Sequence, residues 1–120
     1  MRLIEELRHE LAGEQSLFRA QLLREDIARL TRLTELARAT PEFASFRKAA
    51  LRIGWTQGDA RTQELAGPLD ELLAAVHAYC GGATDAAQEA RIGDAWTALH
   101  RLRMERLVGC LSNPVPKPAD

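Results

Sequence analysis

Aromatic side chains are scarce in this chain: two tryptophans, one tyrosine and three phenylalanines in 120 residues. A core with so few rings is packed mainly with leucine and alanine, which suits closely spaced helices and suits sheets poorly. Proline is thin too, with three of the five (Pro114, Pro116 and Pro118) in the last seven residues. No unbroken apolar run exceeds Leu72–Val76, too short to span a bilayer. The opening MRLIEELRHE carries acids where a signal peptide needs an apolar stretch, so a cytoplasmic chain without a membrane partner is expected.

Charge of one sign is lacking as well. The formal net charge of −1 provides no global field for nucleic acid or an anionic membrane. The 16 basic residues include only Lys48 and Lys117, leaving 14 arginines. Arginine forks well onto phosphate, yet these arginines are interleaved with glutamates at helical spacing, which reads as a solvated helix face. Two cysteines, Cys80 and Cys110, fall near the C-terminal ends of consecutive predicted helices. Antiparallel neighbours put those ends at opposite poles, tens of ångströms apart against a Cα separation limit of about 7 Å. No internal disulfide is expected, and both read as reduced core thiols.

What the chain has is helix. From Arg2 to Ala39 there is no proline and one glycine, Gly13. Leu3, Ile4, Leu7, Leu11, Phe18 and Leu22, then Ile27, Leu30, Leu33 and Leu36, recur every three or four residues. Leu23, Ile27 and Leu30 lie roughly a third of a turn from Ile4, Leu7, Leu11 and Phe18, so a continuous helix has two apolar faces. Flanking leucines favour a continuous or kinked helix, although Gly13 costs about 1 kcal/mol there and a break would assign the faces to two helices. An unbroken helix would be roughly 57 Å long against about 40 Å for the last helix, and the overhang predicts a homodimer or a larger complex.

Thr40-Pro41 reads as an N-cap and first helical residue, opening a helix with Phe43, Phe46, Ala50 and Ile53 on one stripe. Gly54–Asp59 reads as a turn, with Asp59 capping a short helix through Leu65. Pro68–Cys80 buries Leu69, Leu72, Leu73, Val76 and Cys80, and Gly81-Gly82 ends it. Thr84 or Asp85 caps a last helix of about 85–111, with Ile92, Ala95, Trp96, Leu99, Leu107 and Cys110 on one side. The predicted fold is all-α: a mostly antiparallel bundle of four main helices, room for a short fifth, and a long N-terminal helix. Residues 1–111 form one helical-bundle domain, and 112–120 a flexible proline-rich tail.

Chemistry-bearing patterns are weak. Glu6-x-x-His9 has the spacing of di-iron bundles, but both residues lie off the Ile4–Leu7–Leu11 stripe and no second such pair exists. His77 and Cys80 are three apart on one helix, which admits a metal- or haem-binding sensor without a third ligand in a paired motif. His100 lies midway between Trp96 and Met104, but three serines and no Gly-x-Ser-x-Gly leave it without a nucleophile. No cofactor is predicted. The preferred contact is a protein partner or self-association, through Leu23, Ile27 and Leu30 on the second apolar face and Trp96, His100, Arg103 and Arg106 on the last helix. The function expected is a non-enzymatic interaction module: an adaptor, a secretion or assembly chaperone, or a regulatory subunit. A nucleic-acid accessory subunit binding a backbone through arginine is one alternative, and a small metal- or haem-binding sensor or enzyme centred on His77 or His100 is the other.

Overall fold

The computed structural model describes residues 1–53 and 61–112, with side chains through residue 105. The predicted turn at Gly54–Asp59, its Asp59 cap and the tail from residue 113 lie outside them. Among the described residues there are five helices and no strand: α1 (Arg2–Gly13), α2 (Leu17–Ala39), α3 (Phe43–Ala50), α4 (Gln63–Cys80) and α5 (Ala86–Ser112). The chain is an all-α bundle.

The N-terminal helix is not continuous, and Ser16 has a direct part in the break. Ser16 is extended (φ −76°, ψ 123°) and its hydroxyl accepts the Arg19 backbone N–H at 3.4 Å, capping α2. Its own N–H donates to the Glu14 carboxylate at 3.1 Å, and the Glu14 N–H closes α1 on the Leu11 carbonyl. Folding back buries Leu3, Ile4 and Leu7. At about 1.5–3 kcal/mol each, those side chains outweigh a few helical hydrogen bonds worth about 1 kcal/mol apiece. The two apolar faces therefore belong to two helices, and the overhang that argued for a dimer disappears.

Two further boundaries differ from expectation. Thr40 is the C-cap of α2 and Glu42 is still extended, so α3 opens at Phe43 rather than Pro41. The residue before a proline avoids the helical region, and Thr40 does so (φ −128°, ψ 87°). At the other boundary, α4 begins at Gln63 and runs through Pro68, so it opens five residues earlier than expected and takes in Leu65, while residues 59 and 60 of the predicted short helix lie outside the described residues. An interior proline costs ~3 kcal/mol, but burying Leu65 and Leu69 on one stripe contributes more. The Glu64 carbonyl, which loses its donor to Pro68, belongs to an exposed residue.

The C-terminus of α4 is closed by a Schellman motif. The Ala83 N–H reaches the Ala78 carbonyl and the Gly82 N–H the Tyr79 carbonyl, with Gly82 at φ 119°, a conformation that needs glycine. Asp85 then caps α5 by accepting the Gln88 N–H at 2.8 Å. Leu30, Leu33, Phe46, Leu69, Leu72, Leu73, Val76, Ile92 and Leu99 are fully buried and centre the core.

Successive helices run in alternating directions. His77 near the end of α4 reaches Thr40 at the end of α2, so those two helices are parallel. The short α3 carries the chain back between them, its Arg47 pairing with Asp70 at 3.0 Å. α1 and α5 are likewise parallel: the Arg2 backbone N–H donates to the Glu89 carboxylate at 2.8 Å, bringing two helix N-termini together. Met1 supplies no side-chain cap to α1, so Glu89 serves as one from across the bundle.

Candidate functional site

The α1–α2 elbow and α5 enclose a groove of about 520 Å³. Leu7 and Glu10 come from α1, Glu14 from the elbow, Phe18, Arg19, Leu22, Leu23 and Asp26 from α2, and Trp96, His100 and Met104 from α5. The first helix turns back at Ser16, which lays the start of α2 beside the end of α1 and leaves a recess for α5 to wall. Phe18, in the first turn of α2, lines the groove yet is 65% exposed, and its neighbour Leu17, outside the lining, is 86% exposed.

Residues Trp96, His100 and Arg103 recur at i, i+4 and i+7 and form one ladder. The Trp96 and His100 rings stack at 5.7 Å with planes 21° apart, and the Arg103 guanidinium carbon lies 5.5 Å from the Trp96 ring centre. Such cation–aromatic contacts hold an arginine along a helix face. The ladder faces Asp26, which is only 8% exposed. Burial pushes the Asp26 carboxyl above its usual range, opposed by His100, Arg103 and Arg29. Arg29 on the same helix pairs with it at 3.8 Å. The floor of the groove is thus a partly compensated charge cluster beneath apolar walls.

The sequence-predicted contact residues separate into three groups. Leu23, Trp96, His100 and Arg103 come together at the groove. Ile27 is half-buried against the core, outside the lining. Leu30 is a correction: it is fully buried between the chain's own helices and offers no surface to a partner, because the fold-back of α1 and the packing of α2 cover that face. The Arg106 and Cys110 side chains lie outside those described.

Asp26 is the site residue that sequence reasoning missed. A signal existed, since Asp26 stands four residues from both Leu22 and Leu30, an acid in line with an apolar stripe.

His77 acts as a structural latch. Its Nε2–H donates to the Thr40 carbonyl at 3.0 Å, and its ring lies 5.3 Å from Phe43 and 5.1 Å from Phe46. Cys80 is a free thiol, half-buried and 3.8 Å from the Thr34 carbonyl, with its pKa raised by burial. Glu6 pairs with Arg2 at 3.4 Å on the wet side of α1. Among the described residues no three His, Cys, Asp or Glu side chains are grouped to hold a metal, and no helix is long and apolar enough to cross a membrane.

The class defined is an all-α bundle with a groove of mixed apolar and charged lining between its first elbow and its last helix. No protein-family model matches the chain, nor does any curated protein or solved structure.

Proposed function

We propose that the chain is a non-enzymatic protein–protein interaction module whose contact surface is the α1–α2–α5 groove. One observation carries the reading: Phe18, a large apolar side chain that is 65% exposed, stands in the wall of a recess with leucine, tryptophan and methionine in its lining. Exposed apolar residues that flank a concave apolar site are a common mark of a contact surface. Trp96 and Arg103 belong to the residue types enriched where binding energy concentrates. An adaptor, an assembly chaperone or a regulatory subunit works through such a surface, and the free Cys80 thiol suits a cytoplasmic setting. The nucleic-acid alternative draws less support, because Arg103 turns onto Trp96 and toward Asp26 instead of outward.

The test is a photo-cross-linking aromatic amino acid placed at Phe18, with Leu22→Glu as the groove-blocking variant. A discrete adduct that disappears in the Leu22→Glu background, while the circular dichroism spectrum is kept, supports the reading. An adduct indifferent to Leu22→Glu, or none at all in the native host, overturns it.

A further inference from the structure

We infer that the occupant of the groove is a basic amphipathic segment of a partner protein, with apolar side chains in the recess and a lysine or arginine of the same segment against Glu10 on its rim. The inference rests on the groove being a protein contact surface and names the chemistry of the partner. The walls contributed by Leu7, Phe18, Leu22, Leu23, Trp96 and Met104 ask for apolar anchors. The sign of the charge follows from what else lines the recess: three carboxylates, Glu10, Glu14 and Asp26, against one guanidinium, Arg19. Arg19 is engaged by Glu14 at 3.8 Å, and Glu14 also accepts the Ser16 backbone N–H. Glu10 is exposed and, among the described residues, makes no hydrogen bond or ion pair. It is the carboxylate left over at the rim.

Asp26 asks for the same sign from the floor. Its side chain keeps 12% of its surface exposed and lines the recess. His100, Arg103 and Arg29 oppose its charge, yet burial outweighs them and the carboxyl stands above its usual range. An occupant that closes the recess removes the water Asp26 still reaches, and the cost of its charge rises. A purely apolar segment adds that cost with no compensation. An acidic one adds repulsion from Glu10 and Asp26 as well. A basic segment offsets the cost even without touching Asp26, because coulombic attraction strengthens as water leaves. The recess of about 520 Å³ admits a few side chains and not a whole helix. The backbone of the segment therefore crosses the rim, which is where Glu10 stands.

Fluorescence anisotropy with three labelled peptides and the full chain tests the inference. Each peptide is a short alanine-rich helix with leucines at i, i+4 and i+7, and the residue at i+3 is lysine, norleucine or glutamate. The lysine peptide should bind at micromolar concentration, the norleucine peptide about tenfold more weakly and the glutamate peptide more weakly again. Glu10→Gln should weaken the lysine peptide about fivefold and leave the norleucine peptide unchanged, and Glu10→Lys should reverse the order of lysine and glutamate. Glu10 is exposed, so both variants keep the fold, which circular dichroism checks. A lysine peptide that does not bind overturns the inference, as do a norleucine peptide that binds equally well and a lysine peptide indifferent to Glu10→Gln. The adduct cross-linked at Phe18, sequenced by mass spectrometry, separates this inference from the reading beneath it. A partner segment with lysine or arginine within one helical turn of the attachment point supports both. A segment without one that still needs an open groove retains the contact surface and overturns the basic partner. An adduct of twice the chain's 13.3 kDa, a second copy, overturns it too.

Discussion

Replacing Gly13 by alanine tests what makes the α1–α2 elbow. If glycine itself breaks the helix, alanine should extend α1 into α2 and strip Leu3, Ile4 and Leu7 from the core. Gly13 is instead the last residue of α1, its φ is not positive, and a Cβ there meets nothing within 4 Å. Alanine in an unstrained helical position is favoured over glycine by about 0.5–1 kcal/mol, largely through the unfolded chain's lost freedom, and the final helical turn realises the lower half of that range. Gly13→Ala should therefore stabilise the protein by about 0.5 kcal/mol, a rise in Tm of roughly 2–3 °C for a domain of this size. Ser16→Ala, which deletes the cap, should move stability the other way by about 0.5–1 kcal/mol, the lower part of the usual range because the bond is 3.4 Å long. Urea titrations followed by circular dichroism measure both changes. A Gly13→Ala protein destabilised by 1 kcal/mol or more would refute the assignment of the break to Ser16 and core packing.

Phe46→Ala should cost about 3–5 kcal/mol, because Phe46 is fully buried and its ring supports His77, the latch on the Thr40 carbonyl; a loss under 1 kcal/mol by chemical denaturation contradicts that packing. Asp26→Asn should be more stabilising, or less destabilising, at pH 7 than near pH 4. A carboxyl whose folded-state pKa is raised holds its proton more tightly when folded, so its contribution is full below the unfolded value of 3.8 and is lost as pH rises through the folded value. Asparagine cannot ionise and escapes that loss; a stability difference between variant and parent that stays flat from about pH 4 to 7 removes the argument.

Much of the architecture was legible in residue spacing. The stripes Leu69–Leu72–Leu73–Val76 and Ile92–Ala95–Trp96–Leu99 are buried as read, and the glycine pair and Asp85 end and begin helices where their chemistry dictates. These signals are local: they depend on side-chain period and cap geometry alone. The elbow and the passage of α4 through Pro68 were not legible, because each is decided by what packs against the helix from elsewhere in the chain. At Pro68 the local cost of proline loses to the burial of Leu65 and Leu69, and no helix rule contains that comparison. The groove needed three elements to be placed before it existed. Spacing did bring Trp96, His100 and Arg103 onto neighbouring parts of one helix, yet Asp26 gained its meaning only when α2 faced α5.

Glu89 has a consequence for the electrostatics of the bundle. Parallel neighbours α1 and α5 place two positive helix poles, each equivalent to about half an elementary charge, side by side. Antiparallel neighbours offset each other's poles, whereas this pair stacks them. Glu89 sits in the first turn of α5 and accepts the Arg2 N–H at the first turn of α1, so a single carboxylate lies against both poles. The Tyr79 hydroxyl donates to it as well, and that bond raises the pKa of Tyr79. With Asp85 already capping α5, Glu89 adds a carboxylate shared by both like dipole ends and joins the start of the chain to the α4–α5 turn.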